Sequence, residues 1–187
     1  VHPSNGDREL TVVIKVAKIL PKEDPQPDEL IRRVLNGERK IQTGEQFVLE
    51  RGKYRANKDI IVEEGAALVV SPGTVIEFDI NAGIICEGLL TAVGTIEQPI
   101  IFKPSASDWC NITLIGTGAL RSTLEYCIIQ NGRGRKISKS PSLVRLDPSE
   151  VETAGGALLL LSIDNDFDGL VLDRVLKIKN SILRGNS

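Results

Sequence analysis

Short apolar segments recur along the middle of this chain at a spacing of about 24 residues. Three families recur in step: 60–62, 84–86 and 109–111; 68–70 and 90–92; and 74–78, 99–102 and 124–127. A repeat period of roughly 20 to 50 residues is typical of stacked-repeat proteins, in which each repeat packs on its neighbours. The chain of 187 residues is therefore predicted to fold as a solenoid.

The recurring segments have the composition of strands. They are rich in Ile and Val, and Gly, Pro, Asn and Asp separate them. Three short strands per repeat match one coil of a parallel β-helix, in which each strand pairs with its equivalents in neighbouring coils. Coils of this length suit the wide right-handed form. We expect inward side chains to stack in columns, with Phe78 near Phe102 and Cys86 near Trp109 or Cys110.

Four stretches of the sequence carry a resemblance to known proteins: residues 59–62, 65–78, 83–95 and 98–102. They resemble bacterial and archaeal right-handed parallel β-helix repeat proteins, an architecture that the pectate-lyase-like superfamily shares. The resemblance covers residues 54–132 well and residues 155–187 more loosely. It implies an all-β fold and says little about activity, because the catalytic motifs of the superfamily's enzymes are absent.

The sequence divides into an N-terminal part, residues 1–53, and a predicted β-helix, residues 54–187. The N-terminal part contains a candidate strand at 10–16, a linker with three prolines at 21–27 and a short helix at 27–37. One face of this helix is apolar and is formed by Leu30, Ile31, Val34 and Leu35. The helix is interpreted as a lid on the first coil, with a docking helix for another protein as the alternative.

Residues 155–161 and 176–186 fit further coils. The sequence then stops at Ser187 and contains no methionine, so we expect a piece of a longer protein. A β-helix that ends on an open coil leaves backbone groups unpaired, which promotes association. Either a partner covers this end, or the natural chain continues, or copies of the chain associate through it.

Residues that could carry catalysis are scarce. His2 is the single histidine, which argues against acid–base catalysis by histidine and against Ser or Cys triads. Glycosidases need two opposed carboxylates, and Glu77 could neighbour Glu87 or Glu125 on adjacent coils. The simpler interpretation of these glutamates is solubilising surface charge. Whether the chain is an enzyme stays open, and the balance favours a non-enzyme.

An acidic segment, residues 164–169, matches the opening of a calcium-binding loop. Its candidate ligands are Asp164, Asp166 and Asp168. Val175 occupies the twelfth position, where such a loop has a bidentate Glu. The segment is therefore either a weak calcium site or an acidic turn between two strands, and no other cofactor is indicated.

Residues 132–154 interrupt the repeat with a predicted inserted loop. Its candidate binding residues for a ligand or partner are Arg133, Arg135, Lys136 and Lys139. A basic tract attracts phosphates, acidic sugars or acidic protein surfaces, although the same composition suits a solvated loop. The loop contains no aromatic residue for base stacking, so nucleic acid is an unfavoured partner.

Composition sets further limits. The chain carries 23 Lys and Arg against 25 Asp and Glu, which argues against a generally basic nucleic-acid binder, and no apolar run is long enough to cross a membrane.

The three cysteines, Cys86, Cys110 and Cys127, form neither a disulfide framework nor a zinc motif and are interpreted as buried thiols. They favour a cytoplasmic compartment, whereas the resemblance also allows a secreted or cell-surface location.

These observations favour a non-catalytic β-helix module, part of a larger bacterial or archaeal protein, that binds a protein partner or an anionic ligand as a scaffold. One alternative is a carbohydrate-binding or polysaccharide-degrading domain of the pectate-lyase-like kind. Another is self-assembly of a homo-oligomer through the C-terminal coil. A groove lined by clustered acids and an Arg or Lys would favour the enzyme, and a flat or apolar sheet face would favour assembly.

Overall fold

The computed structural model describes residues 29–133, 158–161 and 177–186. These residues form two short helices and fourteen strands, and each strand pairing between them is parallel. The described part of the chain is therefore mostly β, which confirms the predicted all-β class. Neither of its helices, α1 (Glu29–Leu35) and α2 (Gly116–Ala119), is long enough to cross a membrane.

The strands form three parallel sheets. Sheet I consists of β1 (Gln46–Leu49), β4 (Ala67–Val70), β7 (Leu89–Val93), β10 (Thr123–Glu125) and β13 (Lys177–Lys179). Sheet II consists of β2 (Lys53–Ala56), β5 (Val75–Phe78), β8 (Ile100–Pro104), β11 (Cys127–Gln130) and β14 (Ile182–Arg184). Sheet III consists of β3 (Ile60–Val62), β6 (Ile84–Cys86), β9 (Ile112–Ile115) and β12 (Leu158–Leu161). The chain visits sheets I, II and III in turn, so three successive strands make one coil.

Part of the predicted strand register is confirmed. Ile60 pairs with Ile84, and Leu68 pairs with Leu90, as the repeat predicted. The predicted columns further along the chain are wrong, because the coils lengthen. Phe102 pairs with Ile76, 26 residues earlier, and not with Phe78.

Two other register predictions are also corrected by the structure. Cys86 pairs with Leu114 rather than with Trp109 or Cys110. Residues 124–127, which the repeat placed in one strand family with 74–78 and 99–102, are divided between the end of β10 in sheet I and the start of β11 in sheet II. Tyr126 lies between them with a φ of 49°, a left-handed conformation that turns the chain from one sheet to the next. Asn180, with a φ of 48°, occupies the equivalent corner between β13 and β14.

The core consists of inward side chains stacked in columns. Three of these columns are Phe47–Leu68–Leu90, Tyr54–Ile76–Phe102–Ile129 and Ile60–Ile84–Ile112. All of these side chains are at most 4% exposed, and burying a large apolar side chain contributes about 1.5–3 kcal/mol. Phe78 stacks on Trp109 instead of Phe102, with ring centroids 4.4 Å apart. The indole nitrogen of Trp109 donates a hydrogen bond to the carbonyl oxygen of Gln130.

The predicted N-terminal helix is confirmed over residues 29–35. It contacts β2 and β3 and buries Val34 and Leu35, whereas Leu30 is 41% exposed. The parallel stack begins before the predicted boundary at residue 54, because β1 already pairs with β4. The candidate strand at 10–16 and the linker at 21–27 lie outside the described residues.

The three cysteines are buried and form no disulfide, which confirms the predicted buried thiols. Burial raises the pKa of the Cys86 thiol to about 12 and that of the Cys127 thiol to about 12. A thiol with such a pKa stays protonated near neutral pH, so these side chains act as small apolar groups of the core.

Candidate binding face

Charged side chains are concentrated on the outer surface of sheet II. Successive residues of a strand point to opposite faces of a sheet, and β2 follows this rule, with Lys53 and Arg55 exposed and Tyr54 and Ala56 buried. The same alternation turns Glu77 of β5 outward while Ile76 and Phe78 remain in the core. The inward residues are apolar because they form the core, and the outward positions are left for charge.

The register aligns these outward residues. Arg55 pairs with Glu77, and Glu77 pairs with Lys103 of β8. Gln130 of β11 pairs with Arg184 of β14 on the same surface. We call this surface the basic face and define it by its polar side chains: Lys53, Arg55, Glu77, Asp79, Lys103, Gln130 and Arg184.

Glu77 lies between two lysines. Its Oε1 atom is 3.1 Å from the Nζ atom of Lys53 and 3.1 Å from the Nζ atom of Lys103. Burial alone would raise the pKa of Glu77, but the hydrogen bonds from the two lysines outweigh burial and hold the pKa below its ordinary value. The carboxylate is therefore ionised and links three successive coils.

Asp79 follows β5 and is the second carboxylate of the basic face. Its Oδ1 atom accepts hydrogen bonds from the Ser105 hydroxyl at 2.5 Å and from the Nε atom of Arg55 at 2.8 Å. The hydrogen bond from Ser105, followed by that from Arg55, lowers the pKa of Asp79. Like Glu77, it is held ionised by partners from the coils on either side.

The cations of the basic face are more accessible than the carboxylates. The side chains of Lys53 and Arg55 are 63% and 66% exposed, whereas those of Glu77 and Asp79 are 18% and 26% exposed. Arg184 donates two hydrogen bonds to the Oε1 atom of Gln130, at 2.8 and 3.1 Å. Because Gln130 is neutral, this contact leaves the charge of Arg184 uncompensated. The four cations outnumber the two carboxylates, so the surface is positive.

The cations also have a regular spacing. Lys53 and Arg55 lie on the first strand of sheet II along the stack, Lys103 on the third and Arg184 on the fifth. Two strand spacings amount to about 10 Å. An aliphatic column of Val75, Ile101, Ile128 and Ile182 runs beside the charged column. A ligand on this face would therefore meet cations at about 10 Å intervals and an apolar strip alongside them.

The predicted ligand-binding residue Arg133 lies just after β11 and joins three coils. It forms a salt bridge with Asp108, with the Nε atom 3.5 Å from Oδ2, and one of its terminal nitrogens donates a hydrogen bond to Asn81. Its backbone nitrogen donates to the carbonyl oxygens of Trp109 and Cys110. These contacts hold the corner between sheets II and III, and a role of Arg133 in ligand binding stays a prediction.

The remaining predicted site residues lie outside the described part of the chain. Arg135, Lys136 and Lys139 of the basic loop belong to this group, as do the calcium candidates Asp164, Asp166 and Asp168. Among the described residues, no group of three His, Cys, Asp or Glu side chains is placed to hold a metal ion.

The predicted neighbourhood of the three glutamates is wrong. Glu77 lies on sheet II, Glu87 follows β6 of sheet III, and Glu125 lies on sheet I. They are therefore on different sides of the stack, and none of these pairs can flank one glycosidic bond.

The basic face was missed by the sequence analysis because the coils differ in length. A constant shift of 24 or 25 residues places Glu77 opposite Ile101 or Phe102, whereas the structure pairs it with Lys103. The sequence signal that could have revealed this face is the alternation of charged and apolar residues over 53–56. Combined with shifts of 22 and 26 residues, it would have aligned Arg55, Glu77 and Lys103.

Comparison with known proteins gives one partial match. The chain is 39% identical over 102 residues to Protein bark beetle of Drosophila melanogaster. The matched part is 54% of this chain and 3% of that protein, so the chain spans about 3% of the length of its relative. No family model matches the chain, and no solved structure matches it.

Proposed function

We propose that this chain is a non-catalytic, right-handed parallel β-helix module of a larger protein and that its basic face binds an anionic ligand. The ligand is a linear sulfated or carboxylated polymer or an acidic protein surface. These share one chemistry, which is a row of anionic groups that can lie along the stack. The observation that carries the proposal is the row of cations on the first, third and fifth strands of sheet II, where they outnumber the carboxylates.

Two arguments support the right-handed helix. Each sheet receives one strand from every coil, and the chain passes through the other two sheets before it returns. Connections between parallel strands of one sheet are right-handed in about 98% of cases, because strand twist favours that path. The architecture would then be that of the pectate-lyase-like superfamily.

The comparison with Protein bark beetle supports the proposal that this chain is a module of a larger protein, because the matched segment is a small part of that protein's length. It is an insect protein, so the comparison lends no support to a bacterial or archaeal source. Within the larger protein, the stacked coils would act as a stiff scaffold, because each sheet spans four or five coils.

The lowered pKa values of the two carboxylates support anion binding rather than catalysis. A general acid needs a carboxyl group whose pKa is raised, whereas the pKa values of Glu77 and Asp79 are lowered by their cationic partners and Ser105. Both carboxylates hold lysine and arginine side chains in place. The excess positive charge then attracts anions, an effect that weakens with salt.

The test is a binding titration with three probes: dextran sulfate oligomers, polyglutamate and uncharged dextran. We expect the two anionic probes to bind with an affinity that falls as salt rises, and dextran not to bind. Sulfate and carboxylate probes of matched length distinguish a sugar-like from a peptide-like ligand. Saturable binding of dextran instead would favour the carbohydrate-binding alternative and contradict the proposal.

A matched pair of variants locates the binding. Replacing Arg55 and Lys103 by Gln removes two cations from sheet II, and replacing Lys177 and Lys179 by Gln removes two from sheet I. Exposed charge contacts contribute up to about 1 kcal/mol each, so the first variant should bind the anionic probe about tenfold more weakly. The second should bind within about twofold of the parent. Equal losses in both variants would contradict a site on sheet II.

A second candidate function, self-assembly, is favoured by the last described coil. Ile178 and Leu183 pair with Leu124 and Ile129, which face the core and are at most 1% exposed. Nevertheless, Ile178 is 43% exposed and Leu183 is 46% exposed. If this end seeds association, light scattering will show oligomers that grow with concentration and disappear in a variant with Ile178→Lys and Leu183→Lys. The Ile96→Lys variant, at an exposed position elsewhere, is the control.

A further inference from the structure

A groove runs along the corner between sheets III and I, away from the basic face. It has a volume of about 400 Å³. The chain passes this corner three times, at Glu64–Ala67 before and into β4, at Gly88–Leu89 before and into β7, and at Thr117–Arg121 before β10. The groove therefore crosses three neighbouring coils and lies roughly parallel to the stack.

The floor of the groove is kept flat by glycines. A Cβ atom on Gly88 would lie 2.2 Å from the carbonyl oxygen of Ala66, and one on Gly118 would lie 2.6 Å from that of Glu87. Real side chains do not tolerate such contacts with backbone atoms. The backbones of adjacent coils therefore pack closely here, and no side chain from these two positions fills the groove.

Opposite charges stand at its two ends. Glu64 lines the groove beside β4, and Arg121 lines it beside β10. Both side chains are exposed, and neither forms a salt bridge with another residue of the described ranges. Strand β7 lies between β4 and β10, and Glu64 precedes the first residue of β4, Ala67. The backbones of the two charged residues are therefore separated by at least two strand spacings, which is about 10 Å.

Between the charges the lining is small and mostly apolar. Ala67 and Leu89 are half-buried, and Thr117 supplies a hydroxyl group that can donate or accept a hydrogen bond. A ligand that fits must therefore be slender, apolar in its middle and of opposite charge at its two ends.

We propose that this groove binds a short zwitterionic peptide of about three residues, with its ammonium group on Glu64 and its carboxylate on Arg121. An extended peptide spans about 3.3–3.6 Å per residue, so three residues cover the distance between the two charges. A purely anionic ligand would be repelled by Glu64, and a purely cationic one by Arg121. The site lies on a different part of the stack from the basic face, so it does not depend on the anion-binding function.

The test is a calorimetric or NMR titration of the whole chain with trialanine that has free termini. We expect weak, saturable binding with a stoichiometry of one. N-acetylated trialanine loses the ammonium group, and trialanine amide loses the carboxylate, so each should bind about tenfold more weakly. No saturation at about 20 mM trialanine, well above a millimolar dissociation constant, would overturn the proposal.

Variants assign each end of the ligand. Glu64→Gln and Arg121→Gln should each weaken trialanine binding about tenfold, and each removes an exposed charge, so the fold should persist in circular dichroism spectra. Glu97→Gln and Arg51→Gln are matched exposed controls outside the groove and should leave the affinity unchanged.

The pairing of termini with charges is checked by combining ligands and variants. Acetylation of the peptide should have no further effect in Glu64→Gln, and amidation should have none in Arg121→Gln. If acetylation and Glu64→Gln instead weaken binding independently, the ammonium group does not bind Glu64 and the proposed orientation is wrong.

Discussion

Sheets I and II are built from the same coils, yet their outer faces differ in charge. On sheet I, the outward column Val48–Val69–Thr91–Thr123 is uncharged over its first four strands and reaches a cation, Lys177, only on the fifth. On sheet II, the outward column Arg55–Glu77–Lys103 alternates in charge and carries an excess of cations. Both columns face outward on successive strands of the same coils.

This difference shows which features the fold demands and which it leaves free. The inward side chains of both sheets are apolar because they form one core, so the fold explains them. The outward columns have no such requirement, and Val or Thr is sufficient on sheet I. The charged column is therefore the feature of sheet II that calls for a functional explanation.

The largest expected effect concerns the apolar core, to which both sheets contribute. Leu90→Ala on sheet I and Phe102→Ala on sheet II should lower the free energy of unfolding by about 2–5 and 3–5 kcal/mol, because each leaves a cavity in the core. Urea denaturation measures both. The control Ile101→Ala, at a half-buried outward position, should cost less than Phe102→Ala, and an equal cost would mean that the assigned inward and outward faces are wrong.

Introducing a glutamate should affect stability differently on the two outer faces. Lys103→Glu removes a salt bridge and places a second carboxylate opposite Glu77, which should lower the free energy of unfolding by about 1 kcal/mol. Thr91→Glu on sheet I has no like charge opposite it and should change stability by less than about 0.5 kcal/mol. Chemical denaturation of both variants tests this difference. If Thr91→Glu lowers the free energy of unfolding as much as Lys103→Glu does, the assigned difference between the two outer faces is wrong.

The corner between the two sheets offers a stabilising change. Tyr126 adopts a positive φ of 49°, which is costly for a bulky side chain, whereas Asn180 fills the equivalent corner of the next coil. Tyr126→Asn should therefore raise the free energy of unfolding by about 0.5–1 kcal/mol, measured by thermal denaturation. If both Tyr126→Asn and Tyr126→Gly lower stability, the Tyr side chain contributes more than its backbone conformation costs.

The smallest expected effect is the pH dependence of the basic face. Because the pKa values of Glu77 and Asp79 are lowered in the folded state, their contribution to stability is present above the ordinary carboxyl pKa. It is lost as the pH falls through the lowered values. Protonation also makes the face more positive, so binding of dextran sulfate should tighten over the same range. Glu77→Gln with Asp79→Asn should flatten both profiles, and unchanged profiles would contradict the assigned pairing.

The architecture could be predicted from sequence, because a stacked core repeats its apolar residues at every coil. The Ile60–Ile84 pairing shows this, since both residues face inward and must be aliphatic. The column that contains Phe102 could not be predicted, because extra residues in the turns changed the coil length without changing the strands. Phe78 then packs on Trp109 instead.

The basic face was harder to predict from the sequence, because its residues face outward and follow no apolar pattern. Arg55 and Lys103 are far apart in the chain, and each alone reads as an ordinary surface charge. Only the register between β2, β5 and β8 places them with Glu77 between them. Arg133 was visible as part of a basic tract, but its contacts with Asp108 and Asn81 depend on coil stacking.

The most direct test of the basic face is an NMR titration in which backbone amide shifts are followed while dextran sulfate oligomers are added. We predict that the shifts concentrate on the strands of sheet II, around Lys53, Arg55 and Lys103, and that the amides around Val69 and Thr91 of sheet I stay unchanged. Shifts centred on sheet I, or no saturable shift in either sheet, would contradict the assignment of the anion-binding surface to sheet II.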